Sequence, residues 1–164
     1  MKTLVIGLGN PILGDDGIGW IVAGRVGALL AENQPELNAS RSIEVDCAAL
    51  GGLSLMERLT GFERVVIIDA MSTGRQPIGT VNHLMLGDLA DLSAGHTTAV
   101  HDTSLRNALN VGRSMDIPLP LDENIHVVAI EAEVIQEFSE ILSARVEAAI
   151  PAAVETVVHI LGQE

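Results

Sequence analysis

Apolar residues occur along this chain in two patterns: short continuous runs, and longer stretches in which they recur every three or four positions. The runs are rich in Val and Ile and predict buried strands, whereas the recurring stretches predict amphipathic helices. The predicted strands are residues 3–8, 42–47, 64–69, 80–86 and 124–131. The predicted helices are residues 17–31, 52–59, 103–111 and 144–161.

Several of these elements carry further signals. The inward stripe expected for the first helix consists of Ile18, Ile21, Val22, Val26 and Leu29. Residues 80–86 alternate apolar and polar side chains, which predicts an edge strand. Residues 87–100 are polar and aperiodic and predict a loop. Gly112 predicts the end of the third helix, and Pro151 predicts a kink or a break in the last.

The elements follow the order β-α-β-α-β-β-loop-α-β-α, without a linker or an internal repeat. Strands that alternate with helices form mostly parallel sheets. We therefore predict an α/β fold with an open, mostly parallel, twisted sheet of about five strands and helices on both faces. One domain, residues 1–164, is expected to contain it. Ligands of such sheets bind beyond the carboxyl ends of the strands, where the strand order reverses.

The composition agrees with a core of aliphatic side chains. Apolar residues make up 48% of the 164 positions, but aromatic residues only 2%, as expected for parallel strands covered on both faces. The formal net charge of -13 repels phosphate backbones and anionic lipids, so we expect neither nucleic acid nor a membrane as a partner. A basic protein segment or a metal cation fits this charge better.

The cysteine content and the first residues bear on where the protein works. Cys47 is the only cysteine, which excludes an intramolecular disulfide and a cysteine-rich metal site. It lies in an apolar run, residues 45–50, where we expect a buried, unreactive thiol. The first apolar stretch is too short for a signal peptide, and no stretch is long enough to span a membrane. We therefore expect a soluble, cytoplasmic protein that is a monomer or a weak homo-oligomer.

The turn after the first strand, Gly7-Leu8-Gly9-Asn10-Pro11, is only superficially similar to a dinucleotide-binding loop. That loop needs a third glycine where this chain has Ile12. In addition, Asp15 and Asp16 stand where a pyrophosphate would lie, so nucleotide binding is a minor alternative. One carboxylate is enough to cap the following helix. We assign that role to Asp15, which leaves Asp16 free for chemistry.

Two further candidate ligands follow predicted elements. Asp69 ends the most apolar strand, where a carboxylate is costly unless it is capped, paired or metal-bound, and a solvated turn residue is an equally good interpretation. If the first and third strands are neighbours, Asp16 and Asp69 meet at one crevice. His101 precedes acceptable N-cap residues at positions 102–104 and is expected at the same rim. Two carboxylates and one imidazole suit a divalent metal with open positions.

The other histidines give alternatives to His101, because a lone loop histidine is more often solvated than a ligand. His96, five residues upstream, is a competing candidate. His83, His126 and His159 lie inside predicted elements, where we expect structural roles.

Four parts of the chain resemble, in family order, the nickel–iron hydrogenase maturation proteases. The specific one is Gly-Leu-Gly-Asn-Pro-Ile-Leu-Gly-Asp-Asp-Gly-Ile-Gly at residues 7–19. The others are the acidic strand end at residues 65–70, the histidine-bearing segment at 101–105, and the strand and helix at 128–131 and 142–151. The resemblance covers essentially the whole chain.

The resemblance implies a flavodoxin-like or phosphorylase-like fold. It also implies an endopeptidase that removes a C-terminal extension from the hydrogenase large-subunit precursor after nickel insertion. Carried over residue by residue, the family's catalytic and metal-contacting residues are Asp16, Asp69 and His101. Some members have Glu at the position of Asp16. The family is not known for a Ser or Cys nucleophile, and this chain has no Gly-x-Ser-x-Gly motif.

The nickel would then arrive with the precursor, and other divalent cations are expected to occupy the site in vitro. Asp16 is the favoured general base for the attacking water. The isolated protein should hold metal weakly, whereas tight binding would indicate a self-contained metallopeptidase. The alternative from another class is a non-catalytic docking or metallochaperone module that uses the same acidic edge.

Overall fold

Strands and helices alternate along the chain, as the apolar pattern predicts. The computed structural model describes the backbone of residues 1–33, 42–88, 99–133 and 138–163, and their side chains except those of 33, 88 and 99–104. The strands are β1 (Thr3–Leu8), β2 (Ile43–Ala48), β3 (Arg64–Met71), β4 (Val81–Met85) and β5 (Ile125–Glu131). The helices are α1 (Ile18–Asn33), α2 (Gly52–Arg58), α3 (Ala99–Ser114) and α4 (Ala144–Gly162).

The five strands form one sheet in the order β2-β1-β3-β5-β4. All neighbours are parallel except β4, which lies antiparallel to β5 at the edge. The predicted open, mostly parallel sheet and the predicted edge strand are thus confirmed. The chain leaves β1 for β2 on one side and returns to β3 on the other. The strand order therefore reverses at β1, and the carboxyl ends of β1 and β3 border the crevice.

Both faces of the sheet are covered, because successive side chains of a strand point to opposite faces. On one face Val5 and Ile68 belong to a core cluster that includes residues of α1 and α4. On the other face Ile6 and Ile67 belong to a cluster that includes residues of α2 and α3. Each fully buried aliphatic side chain of this kind stabilises the fold by about 1.5–3 kcal/mol.

Two helices differ from the prediction in detail. The inward side of α1 includes Leu30, whereas Leu29, assigned to the stripe, is 38% exposed. The choice between two adjacent leucines depends on how the helix lies on the sheet, which periodicity alone does not fix. α4 continues through Pro151 without a break, so only the kink remains of the two predicted outcomes, and it stays a prediction. Pro151 is exposed, so the backbone hydrogen bond that it cannot make is lost on the solvent side.

The start of α3 corrects the predicted boundary. The helix begins at Ala99, so residues 102–104 lie inside it and do not cap it, and the predicted loop ends earlier. Ala and Val can extend a helix upstream of a cap-like residue, and cap residues show only where a helix can begin. Gly112, assigned as the stop, lies within the helix, and a Cβ there would be 2.6 Å from Cδ1 of Leu119. The glycine thus serves close packing. Residues 89–98 of the predicted loop lie outside the described residues.

The structure bears on two further predictions, an unreactive thiol at Cys47 and the absence of a membrane span. Cys47 is half-buried, and its Sγ donates to the carbonyl of Trp20 at 3.7 Å. Burial, and secondarily the charge of Asp46, raises the pKa of this thiol, in agreement with an unreactive cysteine. Within the described part of the chain, no helix is long and apolar enough to cross a bilayer.

His83 and His126, assigned structural roles, contact each other across β4 and β5. Nε2 of His83 lies 3.0 Å from Nδ1 of His126. The pKa of His126 is lowered by burial and then by the charges of His83 and Arg64, and the pKa of His83 by burial and then by His159. Burial and the neighbouring positive charges therefore favour the neutral form of both histidines.

Stability should fall when the pH drops below the ordinary histidine pKa. A lowered folded-state pKa means that the unfolded chain binds more protons, so the contribution of His126 is complete above about pH 6.5 and is lost as the pH falls toward the folded value. Urea unfolding at about pH 7.5 and about pH 5 should show this loss, and His126→Gln should reduce the difference. An equal pH dependence in the variant would show that His126 is not responsible.

Candidate functional site

The carboxyl ends of β1 and β3 lie side by side and receive the start of α1. Gly7 of β1 pairs with Ile68 of β3, so Asp69 is the next residue along β3. A Cβ on Gly19 would lie 2.3 Å from the carbonyl oxygen of Leu8 and 2.5 Å from that of Ile68. Only glycine allows this approach, which fixes the first turn of α1 on both strand ends.

Asp16 lies in the 3-10 turn Gly14–Gly17 between β1 and α1. Its side chain is half-buried, and Oδ2 accepts a hydrogen bond from the backbone N–H of Asn10 at 2.6 Å. Among the described residues, no donor reaches Oδ1 of Asp16. Gly9 lies against this turn with φ 113°, and a Cβ there would be 1.8 Å from the carbonyl oxygen of Asp16. The loop is thus closed tightly around Asp16, and one carboxylate oxygen stays available.

Asp15 is structural, as expected, but its partner differs from the predicted one. The side chain is 0% exposed. Oδ1 accepts the backbone N–H of Ser143 at 2.6 Å, and Oδ2 accepts the hydroxyl of Ser143 at 2.8 Å. Ser143 is the N-cap residue of α4. Asp15 therefore binds the start of α4 and does not cap α1, because the chain returns to this edge after β5.

Asp69 lies near the end of β3 and is half-buried. Its Oδ1 accepts the backbone N–H of Ala70 at 2.9 Å. β3 pairs with β1 only as far as Ile68, so β1 offers no acceptor for the N–H of Ala70. The Asp69 side chain supplies that acceptor. The 3-10 turn that carries Asp16 contacts β3. The structure thus brings Asp16 and Asp69 to one edge of the sheet.

His101 is the third residue of α3, and its side chain lies outside the described residues. α3 leads into β5, whose first residue, Ile125, pairs with Val65 near the start of β3. The last turn of α3 therefore lies toward the amino edge of the sheet. The 16 residues of α3 span about 24 Å, about the length of β5. If α3 runs antiparallel to β5 over its whole length, the backbone of His101 lies toward the edge that holds Asp16 and Asp69, and this placement stays a prediction. His96 is outside the described residues.

The predicted three-residue metal set stays a prediction. Among the residues whose side chains are described, no three His, Cys, Asp or Glu side chains converge on a common point that could hold a metal ion. Asp16 and Asp69 supply carboxylate oxygens, and His101 would have to supply the nitrogen donor. Such a donor set suits a borderline divalent ion such as nickel.

Two residues that shape this edge, Ser143 and Glu131, lie in segments that carry the family resemblance, but the sequence alone assigned them no role. Ser143 stands directly before the periodic stretch of the last helix, which is a recognisable N-cap signal. Glu131 ends an apolar strand in the same way as Asp69, and this shared pattern would have singled it out.

The fold and the carboxyl edge of the sheet together define an α/β protein. Its carboxylate-bearing site lies at the point where the strand order reverses. A family model described as HycI, hydrogenase maturation protease, matches residues 35–160 of the chain. The chain therefore belongs to the hydrogenase maturation protease family and is a hydrolase of the protease class. The matched segment contains Asp69 and His101 and begins after Asp16.

Individual relatives agree with this family. The hydrogenase expression/formation protein HupD of Rhizobium leguminosarum bv. viciae is 24% identical over 160 residues, which cover 98% of this chain and 74% of HupD. The hydrogenase maturating endopeptidase HybD from E. coli superposes with a TM-score of 0.74 at 24% identity, covering 98% and 92% of the two chains. HybD from Thermococcus kodakarensis, a NiFe hydrogenase maturation protease, gives 0.69 at 25% identity, covering 98% and 99%.

Proposed function

We propose that this chain is the endopeptidase that removes the C-terminal extension of a nickel–iron hydrogenase large-subunit precursor after nickel insertion. Membership of the maturation protease family supports the reaction class. The observation that carries the proposal is the meeting of the Asp16 turn with the carboxyl end of β3, next to Asp69. This places two carboxylates at the edge where an open α/β sheet binds its ligands.

In this proposal the nickel is part of the substrate, and Asp16, Asp69 and His101 contact it in the precursor. With nickel in the precursor, Asp16, Asp69 and His101 would hold the metal-bearing segment so that the cleaved bond has a fixed position, and the metal would supply polarisation of the scissile carbonyl. Asp16 is the favoured general base for the attacking water, and the absence of a donor to its Oδ1 among the described residues supports this role. The Oδ1 of Asp69 is already engaged by Ala70, which suits Asp69 to orient the metal-bearing segment.

Cleavage of nickel-loaded precursor tests the proposal. Mass spectrometry should detect loss of the C-terminal extension with wild-type protein but not with His101→Ala. His159→Ala, an exposed histidine in α4, is the matched control and should cleave like wild type. His96→Ala tests the competing candidate. Binding without cleavage by wild type as well as His101→Ala would support the docking or metallochaperone alternative.

The proposal also implies that the metal site is incomplete in the isolated protein. Titration calorimetry with nickel should then show weak binding, because the precursor completes the coordination shell. Tight, stoichiometric binding by the protein alone would instead indicate a self-contained metallopeptidase.

A further inference from the structure

Glu131, the last residue of β5, is a charged side chain that is only 1% exposed. Its carboxylate accepts three hydrogen bonds from the segment that follows β3. Oε1 accepts the backbone N–H groups of Thr73 and Gly74, both at 2.8 Å, and Oε2 accepts the hydroxyl of Thr73 at 2.8 Å. The segment leaving β3 is therefore wrapped onto this carboxylate.

The backbone of the same residue holds the other end of that segment. The N–H of Gly79 donates to the carbonyl of Glu131 at 2.8 Å, and the N–H of Glu131 donates to the carbonyl of Thr80 at 2.9 Å. One residue thus fixes residues 73–74 with its side chain and residues 79–80 with its main chain.

The buried carboxylate of Glu131 is an energetically costly way to hold a loop. Burial of a charge is strongly unfavourable unless it is compensated. The three donors to Glu131 are two amides and a hydroxyl, and within the described residues no cation pairs with it. Hydrogen bonds to a carboxylate are short and well defined in geometry, so these three donors both offset the cost of burial and fix the segment in one arrangement.

The register connects Glu131 to Asp69. Asp69 pairs with Ala129 and Met71 with Glu131, so Asp69 and Glu131 are diagonal neighbours on one face of the sheet. Beyond Ile68 the pairing of β3 with β1 has ended. From there on, β5 supplies the sheet pairing of β3, and the segment that follows is bound by Glu131. The end of β3 that carries Asp69 is therefore held by β5 and, beyond Met71, by the hydrogen bonds to Glu131.

We propose that Glu131 is a positioning residue that holds the exit of β3 so that the Asp69 carboxylate keeps a fixed direction at the edge of the sheet. The effect on cleavage rests on the proposed function, whereas the coupling between Glu131 and Asp69 is measurable without it.

Hydrogen exchange at Ala70 tests the coupling, because the Ala70 N–H is bound by Asp69 Oδ1. Glu131→Ala should speed exchange of this amide by about tenfold or more relative to core amides such as that of Val66. Glu131→Gln should stay within about threefold of wild type, because its amide oxygen still accepts both N–H groups and its NH₂ can donate to the Thr73 hydroxyl. Exchange at Ala70 that rises no more than at Val66 in Glu131→Ala would overturn the proposal.

Cleavage of nickel-loaded precursor separates positioning from general destabilisation. Glu131→Ala should cleave about 10- to 100-fold more slowly, a range expected for misplacement of a catalytic group. Glu131→Gln should restore the rate to within about threefold. Val157→Ala, in the fully buried core of α4, loses stability without touching this segment and should keep the wild-type rate.

Each result has a distinct meaning. Wild-type cleavage rates in Glu131→Ala, or an equal rate loss in Val157→Ala at matched stability, would overturn positioning in catalysis. If wild type itself does not cleave, the proposed function fails, and the exchange measurement still decides whether Glu131 holds Asp69.

Discussion

Asp69→Asn and Asp16→Asn are each expected to lower the rate of precursor cleavage by at least about a hundredfold, while the protein stays folded. General acid–base catalysis contributes roughly 10²- to 10⁴-fold, and an asparagine neither takes up the water's proton nor supplies a charged ligand. The measurement is the initial rate of C-terminal mass loss with nickel-loaded precursor.

The choice of asparagine keeps the local structure, which makes the expected result specific. In Asp69→Asn the amide oxygen can still accept the N–H of Ala70, and in Asp16→Asn it can still accept the N–H of Asn10. The strand end and the 3-10 turn should therefore keep their shape. Alanine would remove these bonds and mix a structural loss with the chemical one.

Asp116→Asn is the matched control, with the same change of charge at a distant position. Asp116 is exposed, follows the end of α3 and has a φ of 58°, a conformation that Asn adopts readily. It should cleave at the wild-type rate. Near-wild-type rates for both Asp16→Asn and Asp69→Asn would remove these carboxylates from the mechanism.

Gly19→Ala should lower the free energy of unfolding by roughly 3 kcal/mol, the upper range for overpacking a well-packed contact. The added Cβ would lie 2.3 Å and 2.5 Å from the carbonyl oxygens of Leu8 and Ile68. These are backbone atoms of paired strands, so relief requires α1 to move away from the sheet. Urea unfolding followed by circular dichroism measures the change.

Gly24→Ala in the same helix should have the opposite effect and raise the free energy of unfolding. No atom lies within 4 Å of a Cβ at Gly24, and alanine favours a helix interior by about 0.8–1.0 kcal/mol over glycine. Equal effects of the two substitutions would show that helix propensity, and not the contact with the strand ends, decides the role of Gly19.

The strands were predictable because their signals are local. Val and Ile runs between turn residues set β3 and β5 within one or two residues of their observed bounds. Helix boundaries were less certain. The predicted start of α3 was wrong because several neighbouring residues are compatible with a first turn, and tertiary contacts select one of them.

In the candidate site, too, features with local signals were predictable and contacts between distant residues were not. Asp16 and Asp69 were recognisable because one follows a glycine-rich turn and the other ends an apolar strand. The sequence could not show that Asp15 binds Ser143, 128 positions away. Nor could it show that Glu131 binds the segment after β3, 57 and 58 positions before it.

Sequence alone determined the order of elements, the two candidate carboxylates Asp16 and Asp69, and the family resemblance carried by the motif at residues 7–19, because each is recognised from residues that are close along the chain. Only the tertiary structure decided that β1 lies between β2 and β3, and that two buried carboxylates, Asp15 and Glu131, tie down the segments beside Asp16 and Asp69. A buried charge needs donors, and in this fold those donors come from distant parts of the chain that strand order brings to one edge.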